Sequence, residues 1–293
     1  MVKGSGKNAT SSVVPGTSPG TNHAWGGSGA WADAATGATT IATAVMTIHH
    51  VRRTFPPLDD DRGLRPPSTT SALGPATSSR SGMPPGYRGA MGDPYRWIAE
   101  VYDLAVEPFQ RKIREVGMAL YPPRPGMEVL DVGCGTGSHL ARYREAGCVV
   151  HGLDLSPAML AKAAARLGDD ADLRLGDAAA LPWPDGSFDL VVAQTVLHEL
   201  DATSGKAAMA EMRRVVRDDG KVLVVDHRPD APRGARAVAN VVEFLAGIRH
   251  FRAYRAFLAA GGLPALVADA PFTPAREKVV ARGAMSVVLL SPT

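Results

Sequence analysis

From Met127 onward the chain alternates between two hydrophobic periods. MEVLDV (127–132), CVVHGLDL (148–155), ADLRLGD (171–177), FDLVVAQ (188–194) and KVLVVDH (221–227) are short and rich in apolar, often β-branched residues. Such runs predict strands, the most continuous of them buried on both faces. Between them, Thr136 to Ala146, PAMLAKAAARL (157–167) and Lys206 to Arg217 place apolar residues three to four positions apart, the period of a helix with one buried face. Ser156-Pro157 adds a cap and a first-turn proline to the second of these. Strands alternating with helices predict an α/β fold, a mostly parallel sheet covered on both faces.

The flanks follow other patterns. Trp97, Val101 and Leu104, then Ile113, Val116 and Leu120, predict one or two amphipathic helices over 94–120, opened by Asp93-Pro94 and ended by Pro122, Pro123 and Pro125. Near the other end, Ala235 to Ala260 reads as helical with a break near His250, and LPALVADA as a short helix. PAREKVV (274–280) and MSVVLL (285–290) flank a turn containing Gly283. Two strands so closely linked pair antiparallel, and they are expected to close the sheet at one edge.

Composition separates these patterns from what precedes them. About half of residues 1–90 are Gly, Pro, Ser or Thr. A segment this poor in large apolar residues cannot offset its ordering entropy, so residues 1–92 are expected to be a disordered extension and 93–293 the folded domain. Met83 and Met91 stand just before the domain, and the natural start is open between them and Met1. Residues 1–92 hold 8 Lys+Arg against 4 Asp+Glu, leaving 24 against 25 in the domain. The net charge of +3 therefore belongs to the tail, and the domain has no basic bias toward nucleic acid. GAWADAATGATTIATAVMTI (29–48) is the nearest approach to a membrane segment, but it is Thr/Gly-rich and carries Asp33. No stable membrane insertion is expected. Cys134 and Cys148 are the only cysteines. They make neither a metal spacing nor a disulfide framework, so no metal site is expected and a reducing cytoplasm is.

The chemistry concentrates in VLDVGCGTGSHLA (129–141). Its glycines, Gly133, Gly135 and Gly137, are spaced G-x-G-x-G, and Ser138 stands near where a dinucleotide loop places its third glycine. No lysine follows, as a P-loop requires. Asp131 ends the strand two residues before Gly133, where its carboxylate repels a pyrophosphate and attracts an ammonium. An oxidoreductase with a dinucleotide cofactor is disfavoured on both counts. S-adenosylmethionine, with an α-amino group, a sulfonium and no phosphate, fits.

VLDVGCGTG, GLDLSPAML, GDAAALPWPDGSFDLVVAQ and RRVVRDDGKVLVVD in this order resemble the seven-strand class I S-adenosylmethionine-dependent methyltransferases over about residues 93–293. The likeness is greatest to the branch holding the quinone C-methyltransferases and bacterial phospholipid N-methyltransferases. It implies a Rossmann-like sheet, with the helices before the first strand folded over the cofactor as a lid. It further implies Asp154 on the ribose hydroxyls, Leu155 and Met159 along the adenine, Asp177 on the adenine amino group with backbone at Ala178 beside it, and Gln194 facing the methionine portion. The plain alternatives are a helix-cap partner for Asp154 and a turn cap for Asp177. Methyl transfer is an in-line displacement that needs a base only for an acceptor that must lose a proton first. Candidates for that role, or for a hydrogen bond to the acceptor, are His198, His227 and Tyr102. The acidic and aromatic signature segments of the quinone enzymes are not found, so the acceptor stays open: a small molecule methylated at O, N or C. Gln194-Thr195-Val196-Leu197 stands where many amino-methylating enzymes of protein or nucleic acid carry an (N/D)PP(Y/F) segment, which favours small molecules. A protein or RNA methyltransferase, or a cofactor-binding module without transfer, are the alternatives.

Overall fold

The computed structural model describes residues 99–293. The expectations for residues 1–92, including the choice of start, lie outside the described residues. Helix α1 (Ala99–Leu120) is one continuous helix and leads to strand β1 (Glu128–Val132). Then come α2 (Ser138–Glu145), β2 (Val149–Asp154), α3 (Pro157–Leu167), β3 (Asp172–Leu175) and β4 (Phe188–Gln194). A 3-10 turn (Leu197–Glu199) precedes α4 (Ala202–Val215) and the long strand β5 (Val216–His227). Helices α5 (Arg233–Ala246), α6 (Ile248–Ala259) and α7 (Gly262–Ala268) separate it from β6 (Phe272–Val280) and β7 (Met285–Pro292).

The seven strands lie in the order β3-β2-β1-β4-β5-β7-β6. Strands β1 to β5 are parallel; β7 is antiparallel to β5, and β6 to β7. The expected C-terminal pair is present, with its second strand inserted beside β5. Successive connections run outward in opposite directions from β1 and β4. The crevice between them at the carboxyl ends is where such sheets bind ligands.

Alternation along the central strands builds a core on each face. Val191 and Ala193 of β4 and Val222 and Val224 of β5 pack on one side with Trp183, Phe188, Met209, Met212 and Leu263. Leu190 and Val192, with Leu223 and Val225, pack on the other with Leu140, Tyr143 and Val287. Both sets are buried because helices cover both faces, which explains the unbroken apolar runs.

Local signals set the boundaries. Ser156 Oγ accepts the Met159 N–H at 3.1 Å and Pro157 fills the first turn, so α3 spans the expected residues. Helix α4 begins four residues before Lys206 because Asp201 caps it, one carboxylate oxygen accepting the N–H groups of Thr203 and Ser204 at 2.9 and 2.8 Å. It also ends earlier than expected, since Arg217 already lies in β5. The break near His250 falls at Gly247, whose φ of +136° closes α5 and opens α6.

Candidate functional site

The loop after β1 is shaped by three left-handed glycines with different duties. Gly133 (φ +76°) donates to Leu153 O at 2.7 Å, and a Cβ there would meet Val196 at 2.6 Å. Gly137 (φ +73°) would meet Ala163 and Leu167 at 3.0 Å. Both glycines serve close packing. Gly135 (φ +54°) is different: a Cβ there would have no atom of the described residues within 4 Å. The backbone at Gly135 thus faces open space at the rim.

Asp154, at the end of β2, fixes this loop. One oxygen accepts the Gly135 N–H and the other the Ser156 N–H, each at 2.8 Å. The carboxylate therefore stands at the rim between the glycine loop and the start of α3, with an enforced orientation.

Asp131 lies beneath the loop and is 3% exposed. Burial pushes its carboxyl up to about 7; Arg114 works against this rise and Asp154 adds to it. His139 Nδ1 stands 3.8 Å away. Burial holds that histidine well below its usual range, with Arg114 and Arg142 acting in the same direction, so it is neutral. Among the described residues neither of its ring nitrogens has a hydrogen-bond partner. An ammonium arriving beside Asp131 would supply the charge that the buried carboxylate lacks.

The other sequence candidates fall along the same carboxyl rim. Leu155 is 37% exposed next to Asp154, while Met159 of α3 is buried. Asp177 Oδ1 accepts the Ala179 N–H at 2.9 Å, a turn cap that also fixes the buried Ala178. Gln194 ends β4 and donates through Nε2 to Gln110 Oε1 of α1, leaving its own buried Oε1 without a partner among the described residues. Thr195 follows with φ +56°, a costly conformation for a β-branched residue, held by a hydroxyl bond to Gln194 O at 2.7 Å and one from Gln110 Nε2 at 3.3 Å. Strain and an orphaned acceptor thus coincide where β4 meets the crevice. Cys134 is a buried filler whose thiol burial pushes well up.

His198 and His227 belong to a buried cluster that sequence reading left incomplete. His198 Nδ1 pairs with Asp226 Oδ1 at 2.9 Å, and its Nε2 stands 3.3 Å from His250 Nε2. His227 Nε2 pairs with Glu243 Oε1 at 3.1 Å, and the other Glu243 oxygen lies 2.5 Å from His250 Nε2. Burial disfavours charge on His198, but Asp226 and Glu243 raise it well above the usual histidine range. Burial likewise favours the neutral carboxyl of Asp226 and Glu243, yet the histidines beside them lower both. Tyr102 falls within α1, and its side chain lies outside the described ones. Glu243, Gln110 and Thr195 were missed. Glu243 and His250 lie on separate helices divided at Gly247, so no helical spacing in the sequence pointed to the first.

Comparison with known proteins bears on this site. The family described as "Methyltransferase domain" matches residues 130–224. A demethylmenaquinone methyltransferase from Thermus thermophilus is 31% identical over 205 residues, covering 63% of this chain and 84% of that protein. A demethylmenaquinone methyltransferase from Renibacterium salmoninarum is 43% identical over 102 residues, covering 35% of this chain and 42% of that protein. The chain thus spans about half, or less, of the length of several curated relatives. One chain of a complex between a methyltransferase activator and a methyltransferase from Haloferax volcanii shares the fold, with a TM-score of 0.54 at 19% identity over 70% of this chain and 100% of that one.

Proposed function

The chain belongs to the class I S-adenosylmethionine-dependent methyltransferases, and from that premise we propose that it methylates a small-molecule acceptor in the crevice between β1 and β4. The observation that carries this reading is the glycine loop. Its open position, Gly135, donates to the carboxylate of Asp154, Asp131 ends the strand before the loop, and the loop bears no cationic side chain for a phosphate. That donor set fits an amino-acid nucleoside. S-adenosylmethionine supplies, when bound, an electrophilic methyl group on a sulfonium.

The chain's own residues then divide the work. Asp131 holds the ammonium and Asp154 the ribose hydroxyls. Leu155 and Met159 flank the adenine on one side, and Asp177 with backbone at Ala178 receives its edge. The unpartnered Oε1 of Gln194 faces the methionine portion. Gly133 and Gly137 keep the loop packed on Val196 and α3, so the open backbone at Gly135 is held ready. Tyr102 is the contact that α1 offers to donor or acceptor. The nitrogens His198 and His227 turn to Asp226, Glu243 and His250 are already engaged, which supports a role for the pair in shaping the acceptor wall rather than moving a proton. Alignment and exclusion of water supply the rate at such a site.

The relatives named as demethylmenaquinone methyltransferases support a small acceptor of quinone type or similar chemistry. Among the described residues no helix is long and apolar enough to cross a membrane. Calorimetry of the full chain with S-adenosylhomocysteine tests the donor half. A dissociation constant in the micromolar range is expected, and no binding up to millimolar ligand would overturn it. Transfer of label from methyl-labelled donor to a panel of quinols, phenols, amines and carboxylic acids tests the acceptor half.

A further inference from the structure

We propose that His198, Glu243 and His250 bind one divalent transition-metal ion of the zinc type. The geometry carries it. Three ligand atoms converge on one point: the Nε2 atoms of His198 and His250 are 3.3 Å apart, and Glu243 Oε2 lies 2.5 Å from the second and 3.6 Å from the first. With zinc–ligand bonds of about 2.0–2.1 Å, ligand atoms of a tetrahedral site stand about 3.3 Å apart. The His198–His250 and His198–Glu243 separations lie near that value, and Glu243, now at hydrogen-bond distance from His250, would draw back by less than about 1 Å to hold the ion.

The atoms behind the ligands support the same assignment. Asp226 accepts from Nδ1 of His198 at 2.9 Å, which fixes the ring so that Nε2, once a metal displaces its proton, faces His250 Nε2 and Glu243. Glu199 Oε1 faces Nδ1 of His250 at 3.7 Å, and His227 Nε2 holds the other oxygen of Glu243 at 3.1 Å. His198 and Glu243 therefore each have a hydrogen-bond partner on the far side, the arrangement that orients metal-binding histidines and carboxylates, and the Glu199 carboxylate lies near His250. Two facing imidazole lone pairs repel one another unless a proton or a cation lies between them. Asp226 and Glu243 place two negative charges in this buried cluster, which a divalent ion balances.

The three ligands come from three elements: the 3-10 turn after β4, α5 and α6. A bound ion ties the two helices to the rim of the sheet. Three protein ligands leave a fourth position for water or an acceptor oxygen. Entry is from the His250 side, whose side chain is 16% exposed against 2% for His198. The inference stands apart from the donor reading, because nothing in it uses the glycine loop.

The test is a titration of the full chain, stripped with chelator, with ZnCl2 by calorimetry and with CoCl2 by visible absorption, in the absence of methyl donor. His49 and His50 in the sequence offer a weaker background, so the comparison is with variants. Expected is one tight equivalent and a cobalt band of four-coordinate intensity. His250→Ala and Glu243→Gln should each weaken that equivalent at least ~100-fold, going beyond the loss from an outer-sphere change, with circular dichroism unchanged. Zinc should raise the melting temperature of the parent chain and leave that of His250→Ala where it is. Equal stoichiometry and affinity in the parent chain and both variants would overturn the site, as would the absence of any tight equivalent, which would mean that protons alone balance the cluster. If S-adenosylhomocysteine fails to bind while zinc binds as expected, only the donor reading falls.

Discussion

Asp131 makes the donor reading quantitative. Its carboxyl is pushed up to about 7 by burial, opposed by Arg114 and reinforced by Asp154. Those two, His139 on α2 and Tyr143 and Cys134 around it are the titratable groups that face it; burial keeps His139 neutral and pushes Tyr143 and Cys134 up, so across neutral pH only Asp131 changes charge. An ammonium binds only the ionised carboxylate. Affinity for S-adenosylhomocysteine should therefore be flat above pH ~8 and fall with a slope approaching one decade per pH unit below ~7, so that pH 6 costs about tenfold. Asp131→Asn should abolish the slope and weaken binding by about 1.5–3 kcal/mol, the range of a hydrogen bond to a charged group. The same shift fixes a stability effect of opposite sign. A carboxyl whose folded value lies above its unfolded 3.8 favours the protonated native state, and that contribution is present below pH ~4 and lost as pH rises through ~7. A rise from 3.8 to about 7 corresponds to about 4 kcal/mol, so Asp131→Asn should stabilise the protein at pH 8 by up to that amount. Calorimetry and thermal unfolding at pH 5.5 to 8.5 measure both. Binding that is independent of pH in the parent chain, or an Asn variant that melts lower at pH 8, would refute the argument.

Three further perturbations separate loop packing, cofactor contact and scaffold. Gly135→Ala places a methyl in open space, so it should fold with a penalty of only about 1 kcal/mol for the left-handed backbone yet lower donor affinity at least ~10-fold; Gly133→Ala, driven into Val196, should instead lose several degrees of melting temperature. Asp154→Ala should weaken donor binding by about 1–3 kcal/mol, and an unchanged constant in calorimetry would remove it from the ribose contact. Asp172→Ala strips the partner of Arg174, Trp183 Nε1 and His151, so unfolding should shift down by roughly 2–4 °C per kcal/mol lost while the binding constant stays fixed.

How far the sequence disclosed this depended on how local each signal is. The strands β1, β2, β4 and β5 were legible because burial on both faces leaves an unmistakable apolar run. The glycine loop was legible because both its backbone angles and its charge are fixed by adjacent residues. Helix α4 was misplaced at its start, since Asp201 begins it before any apolar residue reaches the core. The rim cluster was only half visible. His198 and His227 follow strands and could be named, but Glu243 reaches them from a helix sixteen residues after His227, and His250 from another beyond Gly247. No short-range pattern encodes a contact between separate elements. Thr195 was invisible for a different reason: its positive φ is imposed by Gln110 and the end of β4, against the preference of its own side chain.

The two rims of the sheet show opposite uses of charge. At the amino edge, Asp172 is lowered to about 2 despite the effect of burial, because Arg174, Trp183 and His151 supply hydrogen bonds; it is partly exposed, well partnered and favourable to the fold. At the carboxyl edge, Asp131 is buried with the neutral His139 3.8 Å away, whereas Asp226 and Glu243 are buried but paired with histidines that lower both. Burying the charge of Asp131 opposes folding unless a partner arrives. On the proposed donor reading, the ammonium of S-adenosylmethionine is that partner. A donor bound there would stabilise the native state by relieving a cost already built into it, which gives a physical reason for a ligand to bind at the carboxyl rim.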